Sequence, residues 1–176
     1  PKSDAADKLQ RVLKKAHADQ AKTLATVLDS KGQTPLFDCI ENGEAEHLEI
    51  LLKSKAARGT NSAEKRALLE ARDDLGRTVL LRAVEMAARS AREDGMSEIE
   101  VDCRMIRALI EQKADATAVD CDGWAATHHI CPTEENGAGC RAILPGAVGK
   151  LADVLELLIS KGAPVDTPDM DKGVTP

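Results

Sequence analysis

The sequence is nearly devoid of aromatic residues, with one Trp, one Phe and no Tyr among its 176 residues. Proteins that bind single-stranded nucleic acids stack the bases on aromatic side chains, and this chain has almost none to offer. The hydrophobic content is nevertheless 43%, so Leu, Ile, Val and Ala must form the core. Side chains of this size suit closely stacked helices.

A surplus of positive charge is also missing, since 24 basic side chains face 30 acidic ones and the net charge is -6. Phosphate backbones and anionic membranes attract basic stripes, so neither nucleic acid nor a membrane is an expected partner. No run of about 18 apolar residues is present, and the start of the chain does not resemble a signal sequence. We therefore expect a soluble domain.

The cysteines lack a pairing pattern. There are five of them, an odd number, and no two form a Cys-x-x-Cys pair. A disulfide framework usually has an even number at characteristic spacings, and disulfides are rare in reducing compartments. We therefore expect a reduced, intracellular protein, in the cytoplasm or the nucleus.

What the sequence does contain is a repeated, glycine-led segment. Gly32-Gln33-Thr34-Pro35-Leu36 returns in altered form as Gly76-Arg77-Thr78-Val79-Leu80, as Gly123-Trp124-Ala125-Ala126-Thr127 and finally as Gly173-Val174-Thr175-Pro176. The first three copies are followed by helical segments at 48–56, 106–115 and 155–163 whose apolar residues share one face. A single repeat cannot bury its own apolar face, so the array becomes the unit of stability and of function.

These segments resemble the ankyrin repeat, whose pattern is Asp-x-x-Gly-x-Thr-Pro-Leu-His-x-Ala, followed by a second helix ending in Leu-Leu-x-x-Gly-Ala-Asp. Asp29, Asp73 and Asp120 stand three residues before their glycines, as the family pattern requires. The resemblance covers residues 29–176. It implies an all-α fold, an ankyrin-type α-solenoid of helix-turn-helix repeats joined by β-hairpin finger loops.

The chain departs from the family pattern at defined positions. Phe37 and Leu81 occupy the position of the family's His, which only His128 fills, and Lys55 and Lys113 stand where the helix-ending Gly is expected. The motif glycines are 44, 47 and 50 residues apart (32 to 76, 76 to 123 and 123 to 173), whereas an ankyrin unit has about 33 residues. Each copy therefore carries an insertion.

The insertions can be located from the fixed anchors of each copy. Asn61 and Glu64 have the spacing of a capping box, which predicts a helix in the first insertion, whereas Pro132, Pro145 and several glycines interrupt any helix in the third. The predicted organisation is an N-terminal helical capping repeat at 1–28, a first repeat at 29–72 with a helical insertion at 60–70, a second repeat at 73–119 with lengthened helices, a third repeat at 120–169 with a loop insertion at 132–149, and the start of a further, truncated repeat at 170–176. Because the chain begins without Met and ends inside a copy, we expect it to be part of a longer protein.

The resemblance also implies where a partner binds. In ankyrin stacks the finger tips and the inner face of the first helices form a concave groove that holds a protein or peptide. The positions of this chain that match the groove are Gln33, Asp38, Glu41, Asp74, Leu75, Arg77, Arg82, Glu85, Met86, Asp122, Trp124 and His129. We therefore expect a monomeric, non-catalytic scaffold or adaptor module that needs no cofactor.

Two features of this surface have two interpretations each. Trp124 is either an exposed hot spot for binding, since Trp is enriched at such positions, or a ring packed under the loop at 132–149. Arg77 and Arg82 lie near acidic residues, and their mixed-charge strip either contacts the partner or is an ordinary solvated face.

Two alternative functions remain open. Cys121, His128, His129, Cys131 and Cys140 fall within 20 residues and offer the thiolates and imidazoles that zinc prefers, so a zinc-binding or redox-sensing variant is one alternative. Tight ligand pairs are missing, which argues against it. The other alternative is a regulatory region of a larger enzyme or channel. The segment itself has no nucleophile turn of the Gly-x-Ser-x-Gly type, and we expect no enzymatic activity from it.

Overall fold

The computed structural model describes residue 29 and residues 33–53, 62–91, 103–130 and 145–165. These residues form the helices α1 (Pro35–Glu41), α2 (Ala45–Lys53), α3 (Ser62–Leu69), α4 (Val79–Ser90), α5 (Arg104–Glu111), α6 (Ala126–Ile130) and α7 (Pro145–Ser160). The pairings of strand type within these ranges are two isolated antiparallel bridges, one between Arg72 and Thr78 and one between Val119 and Ala125. The prediction of an all-α fold is confirmed for this part of the chain.

Helices α1 and α4 begin directly after a threonine. The hydroxyl of Thr78 accepts the backbone N–H of Leu81 at 3.3 Å and thereby caps the start of α4. In α1 the corresponding residue is Thr34, and Pro35 fills the first turn, where its fixed φ and missing N–H are no disadvantage. The repeated segment therefore marks where these helices start.

Three helices end in the same way, with a residue in the left-handed region. Gly43, Lys113 and Gly162 follow α1, α5 and α7 with φ of 70°, 69° and 91°. After α5 the N–H of Lys113 donates to the carbonyl of Ile110 at 2.9 Å and that of Ala114 to Leu109 at 3.1 Å. This is the Schellman motif, which usually places glycine at the left-handed position.

The helices are arranged in pairs and rows. Consecutive helices pair as α1 with α2, α4 with α5 and α6 with α7, and each pair follows one glycine-led segment. In addition, α1 packs against α4, α4 against α6, and α2 against α5. We call α1, α4 and α6 the first helices, and α2, α5 and α7 the second helices, of their pairs.

The core that joins these helices is aliphatic apart from one phenylalanine. The largest fully buried side chains are Phe37, Leu36, Ile40, Leu48, Leu52, Leu80, Leu81, Ile106, Leu109, Leu158, Val79 and Val84. Burying one such side chain contributes about 1.5–3 kcal/mol, so the apolar stripes of the helices hold the stack together. Helix α3, which overlaps the predicted helical insertion at 60–70, adds the buried Leu68 and Leu69.

The third insertion differs from its prediction. Helix α7 begins at Pro145, so residues 145–149 are helical and the predicted loop at 132–149 is wrong for them. Proline is favoured in a first helical turn because its N–H is not needed there. Gly149 lies inside the helix, and a Cβ added to it meets nothing within 4 Å. The presence of Pro and Gly was therefore a poor signal for a loop at this point.

Some predicted segments lie outside the described residues. These are the capping repeat at 1–28, residues 132–144 of the third insertion, and the truncated repeat at 170–176. Within the described ranges, α4 ends at Ser90. The search of these ranges for a helix both long and apolar enough to cross a membrane finds none.

Candidate partner-binding surface

Each of the three helix pairs follows a segment that is organised around one aspartate. We call residues 72–78 finger 2 and residues 119–125 finger 3; finger 1 is represented by Asp29, Gln33 and Thr34. In finger 2 the N–H of Asp73 donates to the carbonyl of Arg77 at 3.1 Å. The Oδ1 atom of Asp73 in turn accepts the N–H of Leu75 at 3.0 Å and that of Arg77 at 2.9 Å. Aspartate often closes turns through such local bonds.

The other fingers repeat this arrangement. In finger 3 the N–H of Asp120 donates to the carbonyl of Trp124 at 3.1 Å, and its Oδ1 accepts the N–H groups of Asp122 at 3.0 Å and Trp124 at 2.8 Å. In finger 1 the N–H of Asp29 donates to the carbonyl of Gln33 at 2.9 Å, and the N–H of Gln33 returns to Asp29 Oδ1 at 2.9 Å. The recurring aspartates in the sequence therefore have one common structural role.

Fingers 2 and 3 are also fixed to each other. The N–H of Cys121 donates to the carbonyl of Leu75 at 3.1 Å. The guanidinium of Arg72 donates to the carbonyls of Gly76 and Val119, one in each finger. Gly76 has φ +71°, and a Cβ on it would lie 2.6 Å from Cys121 Sγ. Only glycine permits this close approach, which holds the two fingers in a defined relative position.

The tips of these fingers are exposed. Leu75 is 53% exposed, the largest value among the large apolar side chains of the described residues. Asp74 and Asp122 are exposed beside it, and Asp38 is exposed on the first helix α1. Within the described residues, none of these three carboxylates has an ion-pair partner. The surface therefore combines unpaired negative charge with one exposed leucine.

The two arginines of the mixed-charge strip are held by the protein itself. Arg77 contacts Asp73 through Nε at 2.8 Å and Nη2 at 2.7 Å, and Glu85 through Nη1 at 2.7 Å. Arg82 contacts Glu85 at 2.9 Å and Glu41 at 3.0 Å. Burial lowers the pKa of Arg77, but its bonds to Asp73 and Glu85 outweigh burial and raise that pKa above its ordinary value. The strip is an ion-pair network that joins finger 2, α4 and α1.

The residues predicted to face a partner differ in exposure. Those that are exposed are Asp38, Glu41, Asp74, Leu75 and Asp122; those that are half-buried are Arg82, Glu85, Met86 and Trp124. Gln33, Arg77 and His129 are buried, at 6%, 9% and 9% exposure. The expected solvent exposure is therefore not found for these three residues. The backbone of Gln33 bonds to Asp29, the side chain of Arg77 to Asp73, and the side chain of His129 to Asp120. The spacing of Asp73 and Arg77 could have signalled their ion pair.

Trp124 covers a buried polar pair. Its ring is stacked near His128, with centroids 6.3 Å apart, and meets His129 edge-on at 5.4 Å. His129 Nε2 lies 3.1 Å from Asp120 Oδ2. Burial raises the pKa of Asp120, but the bonds from His129 and from the N–H of Trp124 outweigh it, so the pKa lies below its usual value. Trp124 thus has a packing role in finger 3, while most of the loop at 132–149 lies outside the described residues.

The cysteine and histidine cluster is only partly described. His128 Nδ1 accepts the N–H of Ala125 at 3.1 Å, and His129 is bonded to Asp120. Cys121 is exposed, with Sγ close to Gly76 in finger 2. Within the described ranges, no three His, Cys, Asp or Glu side chains are grouped so as to hold a metal ion. Cys131 and Cys140 lie outside these ranges, so the zinc alternative stays a prediction.

Comparison of the chain with protein-family models finds no matching family, and comparison with curated proteins finds no match. The functional assignment therefore depends on the residues and contacts of this chain alone.

Proposed function

We propose that the chain is a non-catalytic protein-interaction module of the ankyrin type, which holds a partner protein or peptide against the finger tips and the exposed side of the first helices. The recurrence of one aspartate-centred hydrogen-bond pattern at Asp29, Asp73 and Asp120 supports the repeat assignment. The stacking of helix pairs, each behind one finger, supports it as well.

The observation that carries the proposal is that the exposed finger tips are held in place by hydrogen bonds between fingers 2 and 3. The backbone bond from Cys121 to Leu75 and the two bonds from Arg72 fix the tips before any partner arrives. A surface that is already ordered loses less conformational entropy on binding, and this favours affinity. Exposed side chains on a fixed frame are what a recognition module requires.

The charges of this surface favour a cationic partner segment. Arg77 and Arg82 are neutralised by the carboxylates around them, whereas Asp38, Asp74 and Asp122 have no such partners in the described part of the chain. Opposite charges across an interface speed association and suppress wrong partners. A segment with Lys or Arg residues and one aliphatic side chain for Leu75 fits this surface.

Substitution of the tip residues should weaken partner binding without lowering the stability of the fold. The double variant Asp74→Lys with Leu75→Ser alters the tip of finger 2, and we expect partner capture from cell extract to weaken about tenfold or more. The thermal midpoint should stay close to that of the unmodified chain, because both side chains are exposed. Captured proteins are identified by mass spectrometry, and affinities are then measured by titration.

The matched control is Glu156→Lys with Ile159→Ser, which makes the same changes of charge and polarity at exposed positions of α7. It should capture the same proteins as the unmodified chain. Equal capture by the finger variant, or a finger variant that unfolds, would contradict the proposal.

A further inference from the structure

A groove lies on the other row of helices, between the second helices α5 and α7. Its volume is about 570 Å³, and Ile110 and Leu157 supply its apolar part. Three cations, Arg107, Lys113 and Lys161, border it. This volume is within the range of sites that hold a ligand or a short peptide segment.

The cations of this groove are available to a ligand. Lys113 and Lys161 have no ion-pair partner within the described ranges. Arg107 is 4.0 Å from Asp153, and both side chains are more than half exposed, so this contact is weak and easily exchanged. Glu111 also borders the groove, which leaves three cations against two carboxylates.

The excess of cations continues into the neighbouring groove between α2 and α5. That groove, of about 190 Å³, shares Arg107 and Glu111 and adds Lys53, Arg104 and Glu49. Together the two grooves present five cations and three carboxylates, whereas the whole chain has 24 basic and 30 acidic side chains. Lys53 is paired with Glu49 at 2.6 Å, and the remaining four cations of the two grooves still outnumber their other two carboxylates.

The backbone at Lys113 is an independent observation. Its φ of 69° is the one positive value at a non-glycine residue in the described ranges, and the matching ends of α1 and α7 have Gly43 and Gly162. A side chain in this region is strained, and strained positions cluster where a ligand is held. The chain therefore has a lysine at the border of the groove, although glycine at this position would make the fold more stable.

We propose that the groove between α5 and α7 binds an acidic peptide segment with an aliphatic side chain. The carboxylates of the segment pair with Lys113, Lys161 and Arg107, and its aliphatic side chain packs on Ile110 and Leu157. This site is separate from the finger tips, so the chain engages two segments of opposite charge on two sides.

Fluorescence anisotropy tests the proposal with a labelled peptide of alternating Asp, Glu and Leu residues. We expect saturable binding that weakens at raised ionic strength, and no binding of a peptide with Lys in place of its acidic residues. Lys113→Gly and Lys161→Gln should each weaken binding about two- to fivefold, the effect of one exposed ion pair. Arg66→Gln, which removes an exposed cation of α3, should leave binding unchanged.

The variant Lys113→Gly separates binding from folding, because glycine relieves the strain. Its thermal midpoint should rise while its affinity for the acidic peptide falls. Absence of saturable binding, equal binding of the lysine peptide, unchanged affinity of Lys113→Gly, or tighter binding of a single-stranded oligonucleotide would each overturn the proposal. The finger variant Asp74→Lys with Leu75→Ser should bind the acidic peptide normally, so the two proposals fail independently.

Discussion

At the scale of single residues, two glycines of this chain have opposite roles. Gly76 has a positive φ, and a Cβ there would collide with the Sγ and backbone N of Cys121, at 2.6 Å and 3.0 Å. Gly149 lies in the helix α7 with open space around it. The first glycine is required by the contact between two fingers, whereas the second weakens a helix without any visible compensation.

Alanine at these two positions should therefore change stability in opposite directions. Gly76→Ala adds backbone strain and a clash and should lower the free energy of unfolding by about 2–4 kcal/mol. Gly149→Ala improves helix propensity and should raise it by about 0.5–1 kcal/mol. Urea denaturation followed by circular dichroism measures both values. A neutral effect at Gly76 would show that the close approach of fingers 2 and 3 is not maintained in solution.

At the scale of elements, finger 3 depends on the ionised form of Asp120. The folded pKa of this buried carboxyl lies below its ordinary value, which in an unfolded chain is about 3.9. Asp120 therefore contributes stability above about pH 4, and this contribution is lost as the pH falls through the folded pKa. The pH dependence of stability reports on the finger directly.

Asp120→Asn should lower the free energy of unfolding by about 1 kcal/mol near neutral pH, the usual value for a weakened hydrogen bond. Below about pH 4 the difference from the unmodified chain should shrink, because protonation removes the same charge from Asp120. Urea midpoints measured across this range give the comparison. The exposed, unpaired Asp122 provides the control, and Asp122→Asn should show neither effect. A constant difference at all pH values would refute the role assigned to Asp120.

The elements were predicted more successfully than the details of the candidate surface. Apolar periodicity located α2, α5 and the later part of α7, since side chains three and four residues apart share one face. The start of α7 at Pro145 was missed because proline ends helices but also begins them. The burial of Arg77 was missed because its partner Glu85 belongs to the next helix, and such a contact depends on packing. The groove between α5 and α7 was missed for the same reason.

At the scale of the whole molecule, neighbouring helix pairs are in contact through their first helices and through α2 and α5, and we expect this contact to couple their unfolding. Cys39 in α1 can report on this coupling. Burial, with added repulsion from Glu44 and Asp38, raises the pKa of its thiol to about 12. The thiol is therefore protonated at neutral pH and hidden from reagents. Cys121 at the tip of finger 3 is exposed and should react quickly in the folded chain.

Leu109→Ala creates a cavity in α5, in a different helix pair from Cys39, and should destabilise the fold by about 2–5 kcal/mol. If the pairs unfold together, alkylation of Cys39 should accelerate in this variant, while alkylation of Cys121 stays fast. Peptide-level mass spectrometry measures each rate. Glu111→Ala, at an exposed position of the same helix, should change neither. An unchanged rate at Cys39 would mean that the pairs unfold independently.

The ion pairs of Arg82 limit how this chain could be lengthened. Glu41 and Glu85 both stand nine residues after their motif glycines (32 to 41 and 76 to 85), and Arg82 bridges the two. A tandem duplication of residues 73–119 would place the Arg82 of the new copy beside the Glu85 of the preceding copy. The row of alternating arginine and glutamate side chains would then gain one more ion pair between units. The third unit has His129 and Pro132 at these positions and could not serve as such a building block.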